Sequence, residues 1–147
     1  MTGKGSLNHN SRKFHAKNTD PNRTHWNVEY CNEDIKDVYH ELFDDALKRY
    51  NDKQTRKDRK IDDYYEKIRS GKQEKLFHEV ILQIGDKDNM GSETMEGQLA
   101  AKILDEYMKG FQERNPTLRV FSAHLHLDEA TPHLHIDLSL IHISEPT

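Results

Sequence analysis

Residues 117–143 read TLRVFSAHLHLDEATPHLHIDLSLIHI. Two runs in this stretch, 117–127 and 133–143, alternate apolar and polar residues with period 2, the signature of a strand with two unlike faces. Five residues, Asp128-Glu-Ala-Thr-Pro132, separate them. A turn-rich link this short suits an antiparallel hairpin and is too short for a crossover. An antiparallel hairpin is therefore expected here.

Working outward, residues 76–84 (LFHEVILQI) are β-rich and stop at Gly85, which predicts another central strand. Residues 34–50 place Ile35, Val38, Tyr39, Leu42, Phe43, Ala46 and Leu47 at helical spacing, with a cap at Asn32 or Asp34. A shorter helix is expected over 58–70, with Ile61, Tyr64, Tyr65 and Ile68 on one face. The Tyr64-Tyr65 pair lies on that apolar face, so it reads as core and not as a pair of nucleophiles. A further helix over 94–113 ends at Asn115-Pro116. Residues 1–33 are polar with almost no periodicity and read as loop or disorder. The expected fold class is α+β, a mostly antiparallel sheet with helices on one face.

The chain has 147 residues and a net charge of −4, with 33% hydrophobic and 33% charged residues. That length accommodates one domain with a lean core. No apolar run approaches the roughly 18 residues of a membrane helix, and the start, MTGKGSLNHN, has no apolar signal core. A single cysteine, Cys31, suits a reducing cytoplasm. The average charge argues against a nucleic-acid partner, but two segments differ from the average. Residues 1–27 carry a local net charge of +4 and residues 48–60 one of +5, and a DNA phosphate would meet these.

Ten histidines are present, five of them (His124, His126, His133, His135, His142) in the last 24 residues. Alternation puts His124 and His126 on one face of the first strand, and His133, His135 and Asp137 on one face of the second. Pairing the strands brings several imidazoles together, with Glu129 in the turn nearby. Three neutral imidazoles with coordination positions left open form a catalytic type of metal site, where a divalent ion can polarise a phosphoryl oxygen. Imidazole ligands suit manganese, zinc, cobalt or nickel better than magnesium. The nucleophile for such a site remains open among a bound water, a tyrosine and another histidine.

The string His126-Leu-Asp-Glu129-Ala-Thr-Pro132-His133-Leu-His135 resembles the metal motif of the Mob/Pre (MobV) relaxases, the HUH-type plasmid recombination or mobilization proteins. A second block agrees: His9, Asn10 and Arg12, followed by Asn18, Asp20, Pro21, Arg23, Thr24 and Asn27, resembles the family's N-terminal motif. The resemblance covers roughly residues 5–137. It implies an enzyme that nicks one strand of plasmid origin DNA, holds the 5′ phosphate covalently and later rejoins it. It implies His9 as nucleophile, Glu129 as the acidic residue that orients or deprotonates it, and His126, His133 and His135 as metal ligands. The divalent metal expected is Mn2+, with Mg2+ or Zn2+ as alternatives. Arg12 and Arg23 are expected phosphate clamps, with Asn10, Asn18 and Asn27 contacting phosphate or bases. Basic residues Lys53, Arg56, Lys57, Arg59 and Lys60 are as consistent with a solvated link as with DNA.

The chain also departs from the family. Only eight residues precede His9, so the strand that usually opens the domain is expected to be missing. Residues 138–147 no longer resemble the family, and LIHISEPT resembles translated sequencing-adapter DNA. The expectation is a truncated, partly artefactual reading frame with a partial catalytic domain over 1–137, His142 excluded as a ligand, and any homodimer formed through a missing C-terminal region. The competing expectations are a metal-dependent hydrolase using activated water, and an inactive DNA-binding remnant.

Overall fold

The computed structural model describes residues 2–3, 7–13, 16–85 and 91–140; His15 and His142 lie outside them. The strands are β1 (Thr2–Gly3), β2 (Val28–Asn32), β3 (His78–Gln83), β4 (Leu118–His126) and β5 (His133–Leu140). They form one antiparallel sheet in the order β1-β3-β5-β4-β2. The helices are α1 (Leu7–Asn10), α2 (Ile35–Asp52), α3 (Tyr64–Ser70), α4 (Met95–Lys109) and α5 (Phe111–Arg114). The expected hairpin is thus β4–β5, at the centre of an α+β fold.

The alternation of the hairpin splits the sheet into two unlike faces. One face carries Ala123, Leu125, Leu134, Ile136 and Leu138, which pack with Leu104 and Met108 of α4 and Phe111 of α5 into the largest core cluster. The opposite face carries the histidines. Across the β4–β5 ladder His124 stands opposite His135, and His126 opposite His133. Facing residues of an antiparallel pair project to the same side. A bulge between Val120 and Ser122 inserts Phe121 as an unpaired residue. Phe121 is fully buried and packs on Val38 of α2 and on Phe77, the latter edge-to-face at 5.6 Å.

Helix α2 begins where Asp34 caps it, its side chain accepting from Lys36 N. Helix α3 starts at Tyr64, later than the expected 58–70, because Asp63 is the cap and accepts from Glu66 N. The residues before it form a short 3-10 turn, Lys57–Arg59. Tyr64 and Tyr65 stack on Phe43 and Tyr39, with centroids 4.9 and 5.6 Å apart, which is the core role their spacing suggested. The expected single helix over 94–113 is broken at Gly110, the C-cap of α4, and α5 then turns Phe111 into the core.

Two expectations are corrected. Residues 1–33 are not a structureless segment: they hold α1, a 3-10 turn at Thr24–Trp26 and the edge strand β2. Strand β2 bears little apolar signal because it is an edge, half solvated along its length. An opening strand is present, since Thr2 pairs with Val80 and Gly3 with Glu79. Strand β5 runs past residue 137, to Leu140. Among the described residues, no helix is long and apolar enough to cross a membrane.

Candidate metal centre and nucleophile

The histidine face converges on the turn that closes β4–β5. His126 and His135 pack ring to ring with centroids 4.5 Å apart. Each has one nitrogen committed to a buried acceptor. His126 Nε2 donates to the Asn10 carbonyl at 2.8 Å, and His135 Nδ1 donates to Glu79 Oε1 at 2.7 Å. A backbone carbonyl can only accept, so the hydrogen of His126 must sit on Nε2 and its Nδ1 lone pair is bare. The remaining nitrogens, His126 Nδ1 and His135 Nε2, are buried and make no hydrogen bond, and the same holds for His133 Nδ1. Buried polar atoms left in this way are costly unless something else satisfies them.

Glu129 completes the group. One donor atom each from His126, Glu129 and His135 lie within 4.8 Å of one another, close enough to share a cation. His133 Nδ1 lies 3.3 Å from Glu129 Oε2, on the flank of that trio. The expected ligands His126, His133 and His135 are therefore brought together, but the tightest trio substitutes Glu129 for His133. The mixed imidazole–carboxylate donor set fits a borderline divalent ion. Burial pushes the His126 pKa down to about 3, helped by the neighbouring His135, and it lowers that of His133. Both rings thus stay neutral and able to donate a lone pair at physiological pH. His124 stands apart: it is buried, and its Nε2 is bound to Glu29 Oε1 at 3.1 Å.

His9, on α1, reaches the same point from outside the sheet. Its ring centroid is 5.9 Å from that of His126 and 6.5 Å from that of His135. Its Nε2 lies 3.4 Å from Glu129 Oε1, and its side chain is 22% exposed, so one side of the ring meets solvent. That oxygen also accepts from Arg12 Nη2 at 2.9 Å and lies 3.8 Å from His126 Nδ1. One carboxylate oxygen thus adjoins the surface histidine, a guanidinium and the bare nitrogen of His126.

A family model described as "Plasmid recombination enzyme" (Mob_Pre) matches residues 4–146. The chain belongs to the Mob_Pre family. That match runs through the last residues, beyond the expected edge of family likeness at 137. No curated protein matches the chain. Among solved structures, the MobM relaxase domain, in an Mn-bound crystal at pH 5.5 with a 22-nucleotide oriT DNA of plasmid pMV158, is similar at 25% identity and a TM-score of 0.56, over 96% of this chain and 65% of that one. Two further Mn-bound structures of that domain with oriT DNA, at pH 4.6 and 6.8, match at 26% and 27% identity, each over 90% of this chain and over 60% and 61% of theirs, with TM-scores of 0.47. This Mob_Pre chain therefore spans just under two thirds of the relaxase domain it matches.

The polar residues of the N-terminal motif, the expected DNA contacts, are mostly engaged within the protein. Asn10 is 2% exposed, and its amide donates inward to Glu79 Oε2 and Asp137 Oδ2. Arg12 is engaged by Asp128 and Glu129 instead of pointing to solvent. It adopts φ +58°, a conformation disfavoured by about 1–2 kcal/mol for a residue with a Cβ, which these ion pairs hold in place. Arg23 bonds Asp20 and the Leu127 carbonyl. The Asn27 side chain accepts from Leu127 N at 2.6 Å. Only Asn18 is fully exposed among these five.

Two groups carry roles that the sequence reading missed. Asp128, wholly buried, accepts from Arg12 and Thr24, while its carbonyl accepts from Asp20 N. It ties both halves of the N-terminal motif to the hairpin turn. Burial alone would raise its pKa, but those donors hold it down to about 2. Glu79 and Asp137 form a buried carboxyl pair facing each other across β3–β5. Burial and the neighbouring Glu79 raise the Asp137 pKa to about 8. The partners of Glu79, His135 first among them, overcome its own burial and keep it ionised. A glutamate next to the apolar run Val80–Leu82 was the available signal.

Proposed function

We propose that the chain carries the catalytic face of a DNA strand transferase, a relaxase that cuts one strand at a plasmid origin of transfer through a histidine–phosphate bond. The observation that carries this reading is the shared position of Glu129 Oε1, beside His9 Nε2 on one side and His126 Nδ1 on the other. Family membership and the likeness to a DNA-bound, Mn-bound relaxase domain support it.

His126, Glu129 and His135, with His133 beside them, would hold a divalent cation, Mn2+ by analogy with the similar domain. When bound, that cation would supply Lewis-acid neutralisation of charge on a phosphoryl oxygen. The remaining chemistry belongs to the chain. Glu129 Oε1 lies beside Nε2 of His9, and Arg12 Nη1 is 3.2 Å from Nε2 and 3.4 Å from Nδ1; a ring protonated at Nε2 would turn Nδ1 from Arg12 to phosphorus as it attacks. As the nitrogen–phosphorus bond forms, the bond from phosphorus to the 3′ oxygen breaks. Glu129 Oε1 is placed to take the ring proton, and the released 3′ oxygen is protonated from solvent. The 5′ phosphate then stays on His9 and can be returned to a 3′ hydroxyl by the reverse step. Arg12 holds Glu129 in place and offsets its charge. Among the motif side chains exposed Asn18 is best placed to meet the strand, with Arg23 at 16% exposure beside it, and the exposed basic segment 48–60 would add sequence-independent phosphate affinity.

The test is nicking of supercoiled plasmid bearing a cognate origin, with and without Mn2+, with the products run on a denaturing gel. A covalent protein–DNA band lost in His9→Ala is expected. Persistence of that band in His9→Ala would overturn the assignment of the nucleophile. Nicking with no covalent band would show hydrolysis by activated water instead.

A further inference from the structure

Resting on the metal reading above, we propose that Glu79 and Asp137, bridged by Asn10, are positioning residues that set the tautomers of His126 and His135 and couple the nucleophile's helix to the metal ligands. Asn10 follows His9 directly on α1 and makes both connections. Its carbonyl receives His126 Nε2 at 2.8 Å. Its amide nitrogen lies 3.0 Å from Glu79 Oε2 and 3.1 Å from Asp137 Oδ2. The other Glu79 oxygen receives His135 Nδ1 at 2.7 Å. A continuous path of hydrogen bonds thus runs from His126 through Asn10 and Glu79 to His135.

The arrangement is costly to build for stability alone. All three bridging residues are buried, in a sheet whose other face is filled by ordinary apolar side chains. Two facing carboxyls in such a place are destabilising relative to apolar residues of similar volume. What they yield is a fixed choice of nitrogen on each ring. The two rings enter from neighbouring strands and must present different atoms, Nδ1 from His126 and Nε2 from His135, to reach one point. Those are the atoms the path leaves bare. Carboxylates behind metal-bound imidazoles set tautomer and ring orientation in this way. Because Asn10 is part of the path, displacing Glu79 should also loosen the seat of His9.

The metal-free wild-type chain gives the first test. Long-range 1H–15N correlation of the histidine rings is expected to show His135 as the Nδ1–H form and His126 as the Nε2–H form. The opposite tautomer on either ring overturns the proposal. The second test is Mn2+ titration followed by the EPR signal of the free ion, with Co2+ visible absorption as a readout of ligand geometry. It compares wild type, Glu79→Gln, Glu79→Ala and Asp137→Asn, each checked for fold by circular dichroism. Folded Glu79 variants are expected to bind Mn2+ about 10- to 100-fold more weakly and to show a shifted Co2+ band, with Asp137→Asn altered in the same direction. Wild-type affinity and an unshifted band in folded Glu79→Gln overturn the proposal while leaving the metal reading intact. A wild-type chain that binds neither ion defeats the metal reading itself, and the tautomer measurement still decides whether the path sets the rings.

Discussion

Arg12 and Asp128 are 116 residues apart in the chain and meet in a two-point contact, Nε to Oδ2 at 2.8 Å and Nη2 to Oδ1 at 2.7 Å. The pair is almost wholly shielded from water. It fastens the segment that carries His9 onto the turn that carries Glu129, so the distance between these two groups depends on it. Removing one partner of a buried, hydrogen-bonded ion pair leaves the other charge uncompensated, at about 3–5 kcal/mol. Arg12→Ala and Asp128→Ala are each expected to lose stability on that scale in urea unfolding. The double variant should lose less than the sum, because the second substitution removes the stranded charge.

The same pair makes stability depend on acid. Asp128 is held near pH 2 in the folded protein, against about 3.9 for an ordinary aspartate. A carboxyl whose pKa is lower when folded stabilises fully above its unfolded pKa and loses that contribution as pH falls through its folded one. The urea midpoint of the wild type should therefore drop between about pH 4 and pH 2. The gap between wild type and Asp128→Asn should narrow over the same interval. A gap that stays constant from pH 6 to pH 2 would show that the carboxylate charge is not what Arg12 recognises.

How much of this was legible beforehand depended on whether a signal was local. The hairpin was readable because one face of β4–β5 is apolar and the other polar, and period 2 prints that contrast onto the sequence. The convergence of His126, His133 and His135 follows from the same alternation. Strand β2 was hidden because an edge strand with Tyr30 and Cys31 only half-buried shows no alternation. The bulge at Phe121 has no local sequence mark at all. The hydrogen-bond partners of the N-terminal motif were not legible. Asn10, Arg12, Arg23 and Asn27 are polar and closely spaced, and in the fold they bond Glu79, Asp128 and the backbone of Leu127, all far away in sequence, with Asp20 as a near partner of Arg23. Polarity in a motif shows that hydrogen bonds are made, and only the fold shows with what.

His9→Ala separates chemistry from architecture. The ring is partly exposed and sits on a four-residue helix, so truncating it removes little buried surface. The variant is expected to keep its fold and its affinity for Mn2+ while losing the covalent adduct with origin DNA. Circular dichroism, metal titration and a denaturing gel measure these three properties separately. Loss of metal affinity along with the adduct would make His9 a ligand and not a nucleophile.

Occupancy of the histidine cluster should be visible as stability. Unfolding separates His126 from Glu129 and His135, so an ion bound by them binds the native state alone and stabilises it by RT ln(1 + [L]/Kd), about 2.7 kcal/mol at one hundred times Kd. In a domain of this size that corresponds to a rise in Tm of roughly 5–10 °C. Added Mn2+ is expected to produce that rise and EDTA to reverse it. Burial keeps His126 neutral well below pH 6, so protonation of this ring should not erase the effect at mildly acidic pH. His126→Ala and His135→Ala should abolish the rise. His133→Ala tests the flanking position: a retained but smaller shift fits a ring outside the tightest trio, and complete loss would restore the three-histidine site that the sequence pattern suggested.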